Sequence, residues 1–187
     1  MTLRHLFMTL LLLIASWSGY YLYYEYAKSE QQVIPDLQTP VFTGKNVSNN
    51  NYDENGVRNY QINAKALARF AQTGNTDFTV PHLFVFKEGK VKEWEIISDV
   101  GVLNEDHTLY LTGNVIIKNL LPEAAFDTMT TDSMTIELTT KDFMTDDVVN
   151  LVGPTFETTG VGMKGNFTSQ QTTLLENVQG IYEAFTR

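Results

Sequence analysis

The chain has no cysteine. That excludes disulfide scaffolds, thiolate-held zinc, iron–sulfur clusters, cysteine nucleophiles and a lipidated N-terminal cysteine. Charge is also sparse, 19% of residues against roughly 25% in an average soluble protein. Basic residues are the scarcer sign, 13 against 22 acidic, for a net charge of −9. Binding to nucleic acid or to an anionic membrane surface needs basic patches, so neither is expected. The three histidines, His5, His82 and His107, lie far apart. No Gly-x-Ser-x-Gly elbow offers a nucleophile to any of them. What the chain does have is apolar bulk, 43% hydrophobic and 12% aromatic over 187 residues. That is enough for a core, excludes wholesale disorder, and fits one domain with an appendage.

The appendage is N-terminal. Leu6 to Tyr24 carry no charge. As a helix this stretch would be roughly 28 Å long, close to the ~30 Å hydrocarbon core of a bilayer. Trp17, Tyr20, Tyr21, Tyr23, Tyr24 and Tyr26 crowd one end like an interfacial aromatic belt, and Arg4 lies at the other. The spacing predicts a single-pass anchor over residues 1–24 with the N-terminus cytoplasmic. A cleaved signal peptide would want small residues after the apolar run, where bulky tyrosines stand. Ala15 and Gly19 form a small-xxx-small pair that would let another helix approach closely. Residues 25–40, polar and holding Pro35 and Pro40, read as a linker. The domain is expected over residues 41–187.

That domain reads as strands throughout. Period-two alternation recurs at Tyr60–Ala64, Phe78–Phe86, Glu93–Ile96, Leu109–Thr112 and Ile136–Thr139. Phe78, Val80, His82, Phe84 and Phe86 are expected on one face, Leu83 and Val85 on the other. Asn55-Gly56, Glu88-Gly89, Asn104–Asp106 and Asp146-Asp147 read as turns, and the Asn-rich Ser48–Asn55 as the longest gap between strands. A repeat is visible. Ser98-Asp99 followed by Leu109–Gly113 parallels Thr131-Asp132 followed by Val149–Gly153, so Gly113 and Gly153 are expected at equivalent bends. The fold class expected is all-β.

Chemistry-bearing motifs are weak. Gly160–Gly165 lacks the Gly-Lys-Ser/Thr ending of a phosphate loop, and a β-bend explains it better. Asp99 and Asp132 recur at repeat positions, where aspartate caps backbone amides rather than forming a catalytic pair. Lys141 lies in a polar run and is expected to be dispensable. No catalytic residue, metal or cofactor is expected.

Trp94 with Ser98-Asp99, Leu109–Leu111 with Gly113, Leu121-Pro122, Thr130–Asp132, Thr155-Phe156, Gly160 with Met163–Asn166, and Tyr182-Glu183 resemble the LptC family of lipopolysaccharide export proteins, in that order along the chain. The resemblance implies an open, twisted antiparallel β-jellyroll forming a V-shaped trough behind one membrane helix. It implies a bitopic inner-membrane protein with a periplasmic domain. Such a protein takes lipopolysaccharide from the ATP-driven LptB–LptF–LptG transporter and passes it to periplasmic LptA. Acyl chains would lie inside the trough, against Val47, Phe78, Phe84, Trp94, Ile96 and Leu111. Partners would pair with the open edges, at Val41 on the N-terminal side and at Thr172, Leu174, Val178 and Tyr182 on the C-terminal side, while Ala15 and Gly19 would meet the transporter's helices. Gly153 would be a structural bend. The competing reading is an adaptor that joins partners by its edges and holds no lipid.

Overall fold

The structure, a computed structural model, describes residues 3–29, 39–122 and 126–182. Two compact units emerge, residues 1–36 and 37–187.

The first unit contains one helix, α1 (Leu3–Ser29). At 1.5 Å per residue it is about 40 Å long. It runs through Glu25 to Ser29 without a break; residues 30–38 lie outside the described residues. Its apolar side chains face outward on every side, Leu12, Leu13 and Trp17 among them, and the Tyr20 and Tyr24 rings stack at 6.3 Å. After Ala15, two serines, Gly19 and the tyrosines dilute the apolar run. Among the described residues, no helix is long and apolar enough to cross a membrane.

The second unit is all strand in its regular elements. The strands are β1 (Phe42–Tyr52), β2 (Arg58–Arg69), β3 (Thr76–Lys87), β4 (Val91–Ile97), β5 (Val100–Leu103), β6 (Thr108–Asn119), β7 (Thr128–Glu137), β8 (Asp142–Val152), β9 (Phe156–Asn166) and β10 (Gln171–Tyr182). All pairings are antiparallel, in the order β1-β2-β3-β4-β6-β7-β8-β9-β10, and β5 also sits between β3 and β6. β4 and β5 are thus two pieces of one strand position, interrupted at Ser98-Asp99. The Asn-rich segment proves to be strand: Asn49, Asn50 and Asn51 pair with Ile62, Gln61 and Tyr60. Its side chains lack β propensity, but an edge strand needs only one partner and leaves polar side chains in water.

A crease crosses the sheet strand by strand. Left-handed backbone occurs at Asn46 in β1, Val80 in β3, Gly113 and Asn114 in β6, Gly162 in β9 and Asn177 in β10. Register shifts fall at Thr112/Val115, Thr130/Thr135, Thr145/Val148 and Glu176/Gln179. Each kink adds local twist, so together they fold a long-stranded sheet across its own middle. At its centre the Asp99 peptide bridges Val80 and Gly113, with N···O distances of 2.8 and 2.9 Å. The Asn114 side-chain amide donates to Asp99 Oδ2 at 2.7 Å. A Cβ on Gly113 would sit 2.7 Å from that oxygen, and its φ of +80° also demands glycine.

The crease corrects two readings. Asp146-Asp147 lies within β8, on the crease, and the turn before β8 is formed instead by Leu138–Lys141. On β3, the kink at Val80 resets the alternation. Phe78 points inward, but beyond the kink Leu83 and Val85 are the inward-facing residues. Phe84 is left on the outer face, with Lys92 Nζ 3.6 Å from its ring centre.

Candidate functional site

Cross-strand rows build one apolar interior. Ile62, Leu83, Ile96, Ile117, Met129 and Leu151 follow one another across six strands. Leu67, Phe78, Gly101, Leu111 and Met134 form a second row beyond the crease. The interior reaches both outermost strands, where Val47 of β1 and Leu174 of β10 pack half-buried against it.

Of the residues expected to line a trough, Phe78, Trp94, Ile96 and Leu111 are core residues, each at most 2% exposed. Val47 lies at the rim, and Phe84 is outside. The expected open trough is therefore closed in this structure, because the folded sheet supplies its own filling. Trp94 shows how. Its indole N–H donates to the Phe167 carbonyl at 3.2 Å, and its ring packs against Phe126 at 5.4 Å and Phe167 at 5.3 Å. Phe126 belongs to the neighbouring β6–β7 connection, but β4 and the β9–β10 turn are far apart in the sheet order, so the Phe167 contacts cross the interior. Beside them Tyr60 and Val85 face Ile136, Leu138, Lys141 and Phe167 around a gap of about 10 Å³. That is at the lower limit for one water.

Lys141 is not the bystander its polar neighbours suggest. It ends the β7–β8 turn in a left-handed conformation, φ +65°. Its backbone N–H donates to Glu137 O at 2.7 Å and its carbonyl accepts from Phe167 N at 3.0 Å. Burial at the rim of the interior lowers its pKa, against the opposing pull of Glu93 and Asp53. Burial alone raises the Tyr60 pKa.

The outer face carries cavities. One of about 530 Å³ is lined by Thr108, Thr135, Glu137, Asp142, Met144 and Lys164 among others. Hydrogen bonds from the Thr139 side chain to Glu137, and from Thr140 and Asn166 to Asp142, lower both carboxyl pKa values. That pattern stabilises turns. Among the described residues, no group of three or more histidine, aspartate or glutamate side chains could hold a metal ion.

β1 and β10 are the two edges, each pairing on one side only. Val41 and Phe42 are exposed on the first; Leu175, Val178, Ile181 and Tyr182 are exposed on the second. Thr172 pairs with Gly165 and Leu174 with Met163. Asn177 has left-handed backbone, φ +51°, and the register with β9 shifts there. Residues 183–187 lie outside the described residues.

A family model for lipopolysaccharide-assembly, LptC-related proteins matches residues 8–183. The chain belongs to the LptC family. The lipopolysaccharide export system protein LptC of Escherichia coli K12 is 31% identical over 152 residues, covering 81% of this chain and 80% of that protein. The Haemophilus influenzae protein of the same name is 24% identical over 169 residues, covering 81% of each chain. Family membership makes the chain a lipopolysaccharide-export component rather than an enzyme.

Gly153 needs a new rationale. It does not match the Gly113 bend; it opens the β8–β9 turn, where its N–H donates to Phe156 O at 2.9 Å. A Cβ there would collide with the Phe156 ring. Phe156 packs against the core and lies 6.1 Å from the Tyr182 ring. Gly153→Arg should therefore expel Phe156 and disturb the end of β10, costing about 2–4 kcal/mol. Gly153→Ala should cost less, since the ring can shift for a methyl. Unfolding midpoints equal to wild type for both variants would contradict this packing.

Proposed function

We propose that the chain holds the acyl part of lipopolysaccharide in the interior of its folded sheet, receiving it from the LptB–LptF–LptG transporter and passing it to LptA. The creased meander is read as the family's β-jellyroll, with its trough closed on itself when empty. The observation that carries this reading is the continuity of the apolar interior from Val47 on one open edge to Leu174 on the other. Strand pairing at each edge would satisfy a row of backbone groups and prolong the interior into the partner. Acyl chains could then cross between proteins without entering water. β1 is assigned to the transporter side and β10 to LptA.

The filled interior is compatible with transfer. Burying an acyl chain is worth about 0.8 kcal/mol per CH₂, which summed over several chains would make release impossible. When the lipid must displace side chains already packed together, most of that gain is cancelled, and binding becomes reversible. The same filling favours the second reading, a structural adaptor with a permanently closed core. The two differ in whether the halves part.

Helix α1 is proposed as the inner-membrane anchor, with the β unit in the periplasm. Support comes from its outward-facing leucines and phenylalanine on all sides, a pattern that calls for a nonaqueous surrounding. The tyrosines that dilute its hydropathy sit at one end, where an interface tolerates them. Nothing approaches within 4 Å of a Cβ on Gly19, so the Ala15–Gly19 face is open to a transporter helix.

Competition binding tests the lipid reading. The full chain in nanodiscs should bind lipopolysaccharide, and deacylated lipopolysaccharide should compete at least about tenfold less well, given about 1.4 kcal/mol per decade and several CH₂ groups lost. Equal competition would favour the adaptor.

A further inference from the structure

Among the described residues, two side-chain hydrogen bonds join halves of the sheet that are not neighbours, and both fall at one corner. Besides the bond from the Trp94 indole to Phe167, the Gln170 side-chain amide donates to Glu93 Oε1 at 2.6 Å, across 77 residues of sequence. Side-chain bonds between adjacent strands reach much less far along the chain, 29 residues for Thr108 to Glu137. The corner has a rigid frame on one side. Asn166 ties the β7–β8 and β9–β10 turns together through Thr140 O at 2.9 Å and Asp142 Oδ1 at 2.7 Å. Those two turns carry Lys141, Phe167 and Gln170 as a unit onto Glu93 and Trp94 of β4.

The polar groups at this corner are costly where they sit. Glu93 is 5% exposed. Lys141 has no carboxylate within salt-bridge distance among the described residues, although Glu93 and Asp53 attract it. Asp53 is occupied with the amides of Asn55 and Val57, at 2.9 and 2.8 Å. Along the apolar rows, parting the halves exposes hydrocarbon with nothing in return. Here, parting them returns a carboxylate and an ammonium to water, which offsets part of the cost. The small interior gap, against Tyr60, Val85 and Leu138, lies directly beneath.

We propose that this corner is the portal through which an acyl chain enters the interior, and that the Glu93–Gln170 and Trp94–Phe167 contacts are the clasp that keeps it shut when empty. The proposal rests on the lipid-holding reading above. It assigns a place of opening, which that reading leaves unspecified. The chain slides in beside Trp94, Phe167 moves away with the two tied turns, and Glu93 and Lys141 become hydrated at the rim.

The test uses the full chain in nanodiscs with Trp17→Phe, which leaves Trp94 as the only indole. Gln170→Glu sets a second carboxylate against Glu93. It should raise acrylamide quenching of Trp94 and speed uptake of cis-parinaric acid, an acyl probe that accepts tryptophan energy, by about tenfold, the effect of losing one charge-assisted hydrogen bond. Adding Glu93→Gln exchanges the two groups, restores the bond, and should return both readouts to the starting values. Circular dichroism checks that each variant is folded. Unchanged quenching, or raised quenching without faster uptake, would overturn the portal. So would faster uptake that the exchanged pair fails to reverse. If the probe enters every variant at the wild-type rate, the lipid reading stands and the portal alone falls. If no variant takes up the probe although Trp94 becomes quenchable, both fall.

Discussion

Replacing Trp94 by alanine should lower the unfolding free energy by about 3–5 kcal/mol, the range for truncating a large buried aromatic. The indole is 2% exposed. It touches the Phe126 ring beside it and the Phe167 ring across the interior, and carries one of the two bonds that close it. Alanine leaves a cavity between halves still held by the sheet and by the Gln170–Glu93 bond, so collapse cannot readily fill it. Trp94→Phe keeps most of the ring contact and loses the bond to Phe167 O; it should cost about 1–2 kcal/mol. Urea denaturation of the full chain followed by far-ultraviolet circular dichroism gives both values. A loss below about 1 kcal/mol for alanine would mean that the ring is peripheral and the interior is not closed by it.

Deleting residues 172–187 should abolish capture of LptA while sparing α1 and the association of β1 with the transporter. β10 presents Leu175, Val178, Ile181 and Tyr182 to solvent at a strand edge, a combination that invites pairing with another sheet. Its removal costs the core only the half-buried Leu174, so the remaining sheet should stay folded. Asn177→Pro is the milder version: proline fixes φ near −65°, whereas Asn177 has φ +51°, so the kink cannot form and the edge is distorted. Pull-down of LptA from detergent extracts decides the matter. Retained LptA with a lost transporter would reverse the assignment of the two edges.

The strands were legible because period-two alternation survives in each half-strand: Tyr60, Ile62 and Ala64, or Leu109 and Leu111, face the core as their spacing requires. The crease was not legible in the same way. A single left-handed residue in mid-strand inverts all that follows, and valine at position 80 gives no compositional warning of it. Phe84 therefore looked like an inner-face partner of Phe78. Asp99, Asp132 and Asp147 did carry a signal, since polar residues inside apolar strands mark the fold line, but two adjacent aspartates resemble a turn just as well. Gly113 and Gly153 share spacing and differ in cause: one answers a positive φ and a carboxylate, the other an overlying phenylalanine ring. Lys141 and Gln170 were invisible as site residues. The Gln170 bond to Glu93 spans 77 residues, and the burial of Lys141 comes from the folded sheet, so no local pattern encodes either. That the interior fills itself was equally hidden, because alternation is the same for a trough and for a closed core.

Whether the closed interior opens to lipid separates a carrier from a connector. A photo-crosslinking amino acid at Phe78, on the inner face, and another at Phe84, on the outer face of the same strand, should be compared in growing cells. Capture of lipopolysaccharide from position 78 and not from position 84 is the result expected. Capture from 84 alone, or from neither while the domain remains folded and partner-bound, would contradict it and leave a protein that connects its partners without carrying lipid.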